Sequence, residues 1–460
     1  MMNKIKCAGV IFAMIGFFGS GAAAQTKKTV KTAPVAKTEA QPAELTYARD
    51  IAPIINAKCV SCHRPDGAGP FSFLQFSGVA RRAEQIAVVT QSRYMPPWKP
   101  TAGGPFREDC HLTNTQIALI QQWVKEGAKP GDLSAAPAPP KFRDGWKLGK
   151  PDLILEMPDT FTLRAEASET QEIYRDFVLP VPIAQDEVVA AVEFLPGNPR
   201  IVRHASLFTD SSRIDRKLQS QSGAVGYTAF HAGLPAYPAG TLYEWAPGVA
   251  PRWMPAGIGI PLKKGADIVL QLHFAPTGRA ETERSRIGLY FAKKPTVHAA
   301  TIALGASEVY FKPGAKAVIT DSYTLPVAAQ LFGLVPNAHN VCTHFKATAT
   351  LPDGTKKILL QIDDWDLDWK APYRYAVPLL LPAQTKIALE IVFDNTRVNP
   401  RDPRRRPHFV IPGWGTMDEM ASLWLLVAPM KASDQSALTA SLPPAGHKPA
   451  IALNSDEEEK

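Results

Sequence analysis

The pentapeptide Cys59-Val60-Ser61-Cys62-His63 places two thiols two residues apart and an imidazole directly after them. This is a C-x-x-C-H sequence, the attachment pattern of a c-type haem. The thiols would form thioethers to the haem vinyl groups, and His63 would ligate the iron from one side. One short turn must then hold both the porphyrin edge and its proximal ligand. A redox dithiol, or half of a zinc site beside a chance histidine, is the competing chemistry for the same thiols. A further donor lies in Arg93-Tyr94-Met95-Pro96-Pro97-Trp98. Two prolines after Met95 stiffen the backbone and favour an extended loop, which makes Met95 the expected sixth ligand rather than a packing residue. A thioether favours ferrous iron and raises the potential, which suits electron transfer. His111 is the other axial candidate and reads as a surface residue.

A second set of donors lies further on. His204 sits in Val202-Arg203-His204-Ala205, His273 in Leu270-Gln271-Leu272-His273-Phe274, His339 in Pro336-Asn337-Ala338-His339, and Met420 in Asp418-Glu419-Met420. Imidazole with thioether suits copper, because the thioether favours the cuprous state and imidazole serves both oxidation states. Spacing alone does not separate these residues from structural histidines hydrogen-bonded on strands.

The elements that would position these groups fall into two classes. Around the haem motif the pattern is helical. Ile51, Ile54 and Ile55 form a short stripe leading into Cys59. Thr113 and Gln116 form a capping box, Ile117, Ile120, Trp123 and Val124 share one helical face, and Gly127 can end that helix. From Pro151 onward the chain reads as strands: Phe177–Leu179, Val188–Val192, Ile268–Leu272, Ile287–Phe291, Ala317–Ile319, Phe345–Thr350, Lys357–Ile362, Ile387–Phe393 and Leu423–Val427. Gly, Pro and Asn punctuate these runs, and about 280 residues suffice for two β-sandwiches.

Bulk properties bound the function. At 460 residues several domains are expected. The net charge is +8, with Lys4, Lys6, Lys27, Lys28, Lys31 and Lys37 supplying much of the excess. No basic patch interleaved with aromatic residues is evident along the chain, which leaves nucleic-acid binding without support. Residues 1–24 read as a signal peptide: Lys4 and Lys6, an apolar Val10–Phe18 core, and Ala22-Ala23-Ala24 before Gln25. That core is too short for a comfortable membrane span. Export and covalent haem together imply a bacterial periplasmic or secreted protein. In the mature chain Cys110 and Cys342 remain, either as a disulfide between domains or as two free buried thiols.

Segments of the chain resemble the type II, ascorbate-dependent copper monooxygenases, the peptidylglycine-amidating and dopamine-hydroxylating family. The nearest likeness is to bacterial forms with a cytochrome c domain in front. The likeness covers most of residues 45–428. It runs through Arg93 to Trp98, Trp245-Ala246-Pro247-Gly248, Leu270 to Gly278, Asp364-Trp365-Asp366 and Thr416 to Met420. It implies two jelly-roll-like sandwiches, each with one copper facing a shared cleft. One copper relays an electron, the other binds oxygen, and the pair hydroxylates an unactivated C–H bond. The His-His pair of the electron-transfer copper corresponds to Arg203-His204, and its third histidine to His273. The His-x-His of the oxygen-binding copper corresponds to Asn337-Ala338-His339, and its methionine to Met420.

Each site thus lacks one imidazole. Arg203 cannot ligate, and its charge repels a cation, so the first site is expected to bind copper weakly or not at all. Asn337 points with His339 on a strand and offers a weak amide oxygen. His344 lies an odd offset from His339 and reaches the site only across a turn; His231 is another possible replacement. Val335 stands where peptide amidation would need an arginine, so amidation is not expected.

The architecture expected is multidomain: a small all-α cytochrome c domain followed by a mainly β body of two jelly-roll-like β-sandwich domains. The boundaries are signal peptide 1–24, flexible leader 25–44, cytochrome c domain 45–131, linker 132–150, first sandwich 151–297, second sandwich 298–430 and solvated C-terminal tail 431–460. The expected function is a haem c oxidoreductase passing electrons from His63/Met95 to a mononuclear copper and O2 site at His339 and Met420. That site would hydroxylate an unidentified small molecule, with a periplasmic electron donor or acceptor as partner. The alternative is a catalytically degenerate electron-transfer or metal-binding protein on the same scaffold. A cytochrome fused to a carbohydrate- or protein-binding sandwich is a third reading.

Overall fold

The computed structural model describes residues 44–65, 67–143, 145–166, 173–228, 240–306, 309–396, 398–402, 404–413, 418–444 and 449–454. The expected signal segment, nearly all of the leader, and His231 fall outside these residues. Leu45–Lys460 form one compact unit.

The C-x-x-C-H motif ends a short helix. A π-helical turn, Tyr47–Ile51, runs directly into helix Ala52–Lys58, whose last turn delivers Cys59. Ile51, Ile54 and Ile55 are buried there as their spacing requires. Helices Ala83–Gln91 and Asn114–Lys125 pack beside them. The second begins with the expected reciprocal cap of Thr113 and Gln116. It buries Ile117, Ile120 and Trp123, and Gly127 follows it at φ +89°. Tyr47, Ile55, Phe73, Val79 and Trp123 close this small core. Removing the fully buried Trp123 ring would cost about 3–5 kcal/mol.

The remainder is mainly β, built from sandwich-like sheets. In the first half, strands Ile173–Pro180, Asp267–Phe274, Val202–Asp210 and Thr241–Trp245 form one sheet. A second sheet is built around strands Glu187–Leu195 and Arg286–Phe291. Phe177, Leu207, Leu270, Phe274 and Leu289 fill the space between. In the second half, a four-stranded sheet runs in the order Ala300–Ala306, Ala421–Pro429, Ala329–Ala338, Tyr373–Leu381. It faces a six-stranded sheet across Phe311, Leu331, Phe345, Phe393 and Leu425. Burying side chains of this size contributes roughly 1.5–3 kcal/mol each. Alternation along the strands sets the inner faces. The chain passes from one half to the other at Ala299, between strands Val297–His298 and Ala300–Ala306.

Two expectations about boundaries change. The segment 45–131 is not self-contained. Pro100–Gly103 adds a strand to the six-stranded sheet beside Lys356–Ile362, and Phe106 bridges to Tyr375. Gly103, at φ +104°, lets the backbones meet: a Cβ there would lie 2.4 Å from the Leu359 carbonyl oxygen. The last thirty residues are also not simply a solvated tail. Gln435–Ala440 is helical with Leu438 buried, and Ala450–Asn454 pairs with Lys316–Thr324 as an edge strand. No disulfide joins Cys110 to Cys342. Cys342 lies buried beside Glu419, whereas Cys110 lies close to Cys59 and Cys62. No helix among the described residues is long and apolar enough to cross a membrane.

Candidate haem and metal sites

At the C-x-x-C-H motif the turn is tied by its own backbone. The amides of Cys62 and His63 donate to the Cys59 carbonyl, at 3.2 and 3.0 Å, and Gly69 N–H donates to the Cys62 carbonyl at 3.0 Å. His63 Nδ1–H donates to the Phe71 carbonyl at 3.3 Å, which leaves the lone pair on Nε2. The ring stacks with Phe71 and Phe73 at centroid distances of 4.9 and 4.7 Å. Gly69 is fitted to it: a Cβ there would come within 2.6 Å of His63 Nδ1. Burial lowers the His63 pKa, so its lone pair is available at neutral pH. Burial pushes the Cys59 thiol up to about 12 and also raises Cys62. Redox-active C-x-x-C pairs carry depressed thiol pKa values. Both shifts run opposite to those of redox-active pairs. Met95 lines a pocket with Thr90, Trp98, Leu112 and His111. His111 is exposed and held by the Asp109 carboxylate.

The body meets this motif directly. A Cβ on Gly248 would lie 3.3 Å from Cys62 Sγ, so the loop after strand Thr241–Trp245 packs on the second thiol. Tyr94 sets its ring against Trp369, at 5.5 Å and edge-on. Lys99 reaches Asp364 and Asp366 at 3.1 and 3.5 Å, and Arg401 grips both acids from the other side.

The first donor pair is assembled by strand register. His204 and His273 are direct cross-strand partners on Val202–Asp210 and Asp267–Phe274. Their Nδ1 atoms are 2.9 Å apart. That separation suits a hydrogen bond, and equally two ligands of one metal with bonds near 2.0–2.1 Å. His204 Nε2–H donates to the Lys370 carbonyl at 2.7 Å, which aims its Nδ1 lone pair at His273. Tyr174 stacks on His273 at 4.3 Å. Desolvation holds His204 well below 6.5 and His273 at about 3, so both imidazoles are neutral. Arg203 sits at a register shift beside His204, and its charge adds to both depressions.

The second set lies at the mouth of the other sheet. Asn337 pairs with Ser422 and Ala338 with Ala421. Just beyond this pairing, His339 is tied to the Asp418-Glu419 segment that leads into Met420. Asn337 and Ser422 share one sheet face, and both are buried, as are His339 and Met420. His339 Nδ1–H donates to the Asp418 carbonyl at 2.8 Å, leaving Nε2 open. Burial holds this imidazole at about 4. Glu419 clamps the turn, with its oxygens accepting from His339 N at 3.1 Å and Val341 N at 2.6 Å. Burial pushes its carboxyl up to about 8. Trp365 Nε1 closes the turn by donating to the His339 carbonyl at 3.0 Å.

Asn337, the expected third donor, has hydrogen-bond partners on both atoms of its amide. Its Oδ1 accepts from the Lys370 ammonium at 3.1 Å, and its Nδ2 donates to the Val335 carbonyl at 3.3 Å. The only metal donor of that amide is therefore engaged by a cation. His344 is exposed and bonded to Thr343 Oγ1, so it does not complete the site. Among the described residues no three His, Cys, Asp or Glu side chains come close enough to hold a metal. Each set therefore offers two donors: two imidazoles in one, an imidazole and a thioether in the other.

The two sets look across one seam between the sandwiches, where Phe208 and Val269 pack on Trp424. Three residues of this seam have no signal in the spacing. Lys370 bonds to both donor sets. Glu244 accepts from Ser206 Oγ at 2.7 Å through one oxygen, and its Oε1 is buried with no partner among the described residues. Burial pushes its carboxyl up to about 7, against the pull of Lys370. Ser422 Oγ is likewise buried without a partner. Glu244 directly precedes the Trp245 segment, which is the one sequence cue that pointed near it.

No family model matches the chain, and no curated protein matches it. Among solved structures, the infectious bursal disease virus VP2 subviral particle is similar at 11% identity and a TM-score of 0.19, covering 66% of this chain and 76% of that one. The major capsid protein P2 of bacteriophage PM2 is similar at 10% identity and a TM-score of 0.22, covering 60% and 97%. The glycosylasparaginase PNGase F of Flavobacterium meningosepticum is similar at 8% identity and a TM-score of 0.20, covering 64% and 99%. Likenesses this low carry no argument about fold or function.

Proposed function

We propose that the chain is an exported haem c oxidoreductase of the copper-monooxygenase type. In this reading a small all-α cytochrome c domain precedes two jelly-roll-like sandwiches. The observation that carries it is the meeting of donors at one seam: His204 and His273 converge, His339 is tied to the Asp418-Glu419 segment that leads into Met420, and the C-x-x-C-H motif abuts the same body at Gly248. The resemblance in sequence supports the same assignment.

Cys59, Cys62, His63 and Met95 would hold haem c, and His339 with Met420 would hold one copper. Bound there, haem supplies single electrons and copper supplies O2 activation for hydroxylation of an unidentified substrate. The chain's own residues prepare both places. The Phe71 carbonyl fixes the His63 tautomer, and the Asp418 carbonyl fixes that of His339. Hydroxylation with O2 consumes two electrons and two protons per water released. Glu244, near neutrality and with a free Oε1, is placed to hold a proton in the seam. Phe208, Val269 and Trp424 keep water from its inner end.

In the haem-loaded, copper-treated protein, the reduced haem should be reoxidised by O2. Met420→Ala should slow this at least about a hundredfold, the usual scale for losing a metal ligand's support. Equal rates in the two proteins would contradict the monooxygenase reading. The Lys370–Asn337 bond favours a second reading, a catalytically degenerate electron carrier or metal-binding protein. Equal rates with intact haem would select it.

A further inference from the structure

We propose that the surface formed by Tyr310, Phe409 and Ile411, flanked by Arg405, Arg406 and Lys312, docks onto an anionic phospholipid bilayer. The three apolar side chains are 56%, 57% and 49% exposed, unusually open for their size. Two segments far apart in sequence bring them together. Phe311 and Val410 form an antiparallel bridge. Its register sets Tyr310 opposite Ile411 and Lys312 opposite Phe409. Phe311 and Val410 point into the core of the second half, so their neighbours point out.

The patch is rigidly mounted. Asn395, itself buried, donates from Nδ2 to the carbonyls of Lys312 and His408, at 3.2 and 2.6 Å. Val410 N donates to the Phe311 carbonyl, and Glu419 N to the Ile411 carbonyl. The apolar side chains are therefore exposed by construction.

Charge selects the partner. Asp402, the acid within this run, is buried and contacts Arg404 and His408 at 3.3 Å each. Arg405, Arg406 and Lys312 remain exposed. Three apolar side chains fall well short of the roughly 20–30 residues a protein interface uses on each side. They suffice for insertion to headgroup depth when basic residues meet lipid phosphates. This inference is independent of copper and of catalysis.

The test is co-sedimentation of the full haem-loaded chain with phosphatidylcholine vesicles, with and without phosphatidylglycerol. Binding should require phosphatidylglycerol and fall with added salt. Arg405→Gln with Arg406→Gln should weaken it at least about tenfold, as should Phe409→Ser with Ile411→Ser. Val88→Ser, at a 68% exposed site in the helical segment, should leave it unchanged. Haem absorbance and circular dichroism report whether each variant is folded, and the salt titration needs no variant. No binding, equal binding to both vesicle types, or binding insensitive to both double substitutions would overturn the proposal. Capture of a soluble protein without vesicle binding would overturn it too.

Discussion

Lys370 accepts at its carbonyl from His204 and donates from its ammonium to Asn337, so one residue touches both donor sets. Its charge also depresses His273 and His339 and draws Glu244 downward. A cation so close to imidazole and amide donors competes with a metal for the same space. Lys370→Met keeps the stem and the carbonyl but removes that charge and releases Asn337 Oδ1. Copper retention under a chelator challenge should then rise by roughly tenfold, for an ion pair's worth of relieved repulsion. Unchanged retention would mean that the ammonium leaves the second site clear. No pattern in the sequence singles out Lys370, because its two partners lie 166 and 33 residues away. The sequence offered His204, His273, His339 and Met420 as donors by residue type, and the convergence of His204 on His273 is set by strand pairing. What the sequence lacked was register, which is a property of paired strands rather than of any one segment.

Short elements place the chemistry, and loops fit them together. The helix Ala52–Lys58 and the tied turn after it present the two thiols and His63, and Gly69 gives the imidazole room. Gly69→Ala would push a methyl into the His63 ring. Haem content per chain should fall severalfold, measured by the pyridine haemochrome, while the sheets keep their circular dichroism. Full haem loading would contradict the fitted role of Gly69. The strand runs of alternating and β-branched residues all became strands at the expected places. The helix Asn114–Lys125 did the same, because a capping box and one apolar face specify it locally. The misread elements are those whose partners are distant. Pro100–Gly103 is stabilised by Lys356–Ile362, and Ala450–Asn454 by Lys316–Thr324. Neither carries a strong strand pattern of its own. The patch at Tyr310 and Phe409 escaped for the same reason, since its basic and apolar parts join only through the Phe311–Val410 bridge.

At the scale of the molecule, buried ionisable groups pull stability in opposite directions with pH. His273 and His339 titrate at about 3 and about 4 in the fold, against 6.5 when free. The unfolded chain takes up their protons first as pH falls. Their share of stability is complete above about pH 6.5 and is lost as pH falls toward 4 and 3. Glu244 and Glu419 are raised from 4.5 to about 7 and about 8. Their share is complete below about pH 4.5 and is lost as pH rises through 7 and 8. The chelator-treated protein should therefore have its highest thermal midpoint at mildly acidic pH, about 5 to 6. Glu244→Gln should flatten the alkaline limb. A midpoint that climbs steadily to pH 8 would contradict this. The most direct test of the whole account is the copper-to-iron ratio of the purified, haem-loaded protein before and after copper loading. The account predicts about one copper per haem, lost in His339→Ala and in Met420→Ala, the stoichiometry of a single competent centre. Iron alone after loading would contradict it, and would leave a c-type electron carrier on a scaffold that no longer binds copper.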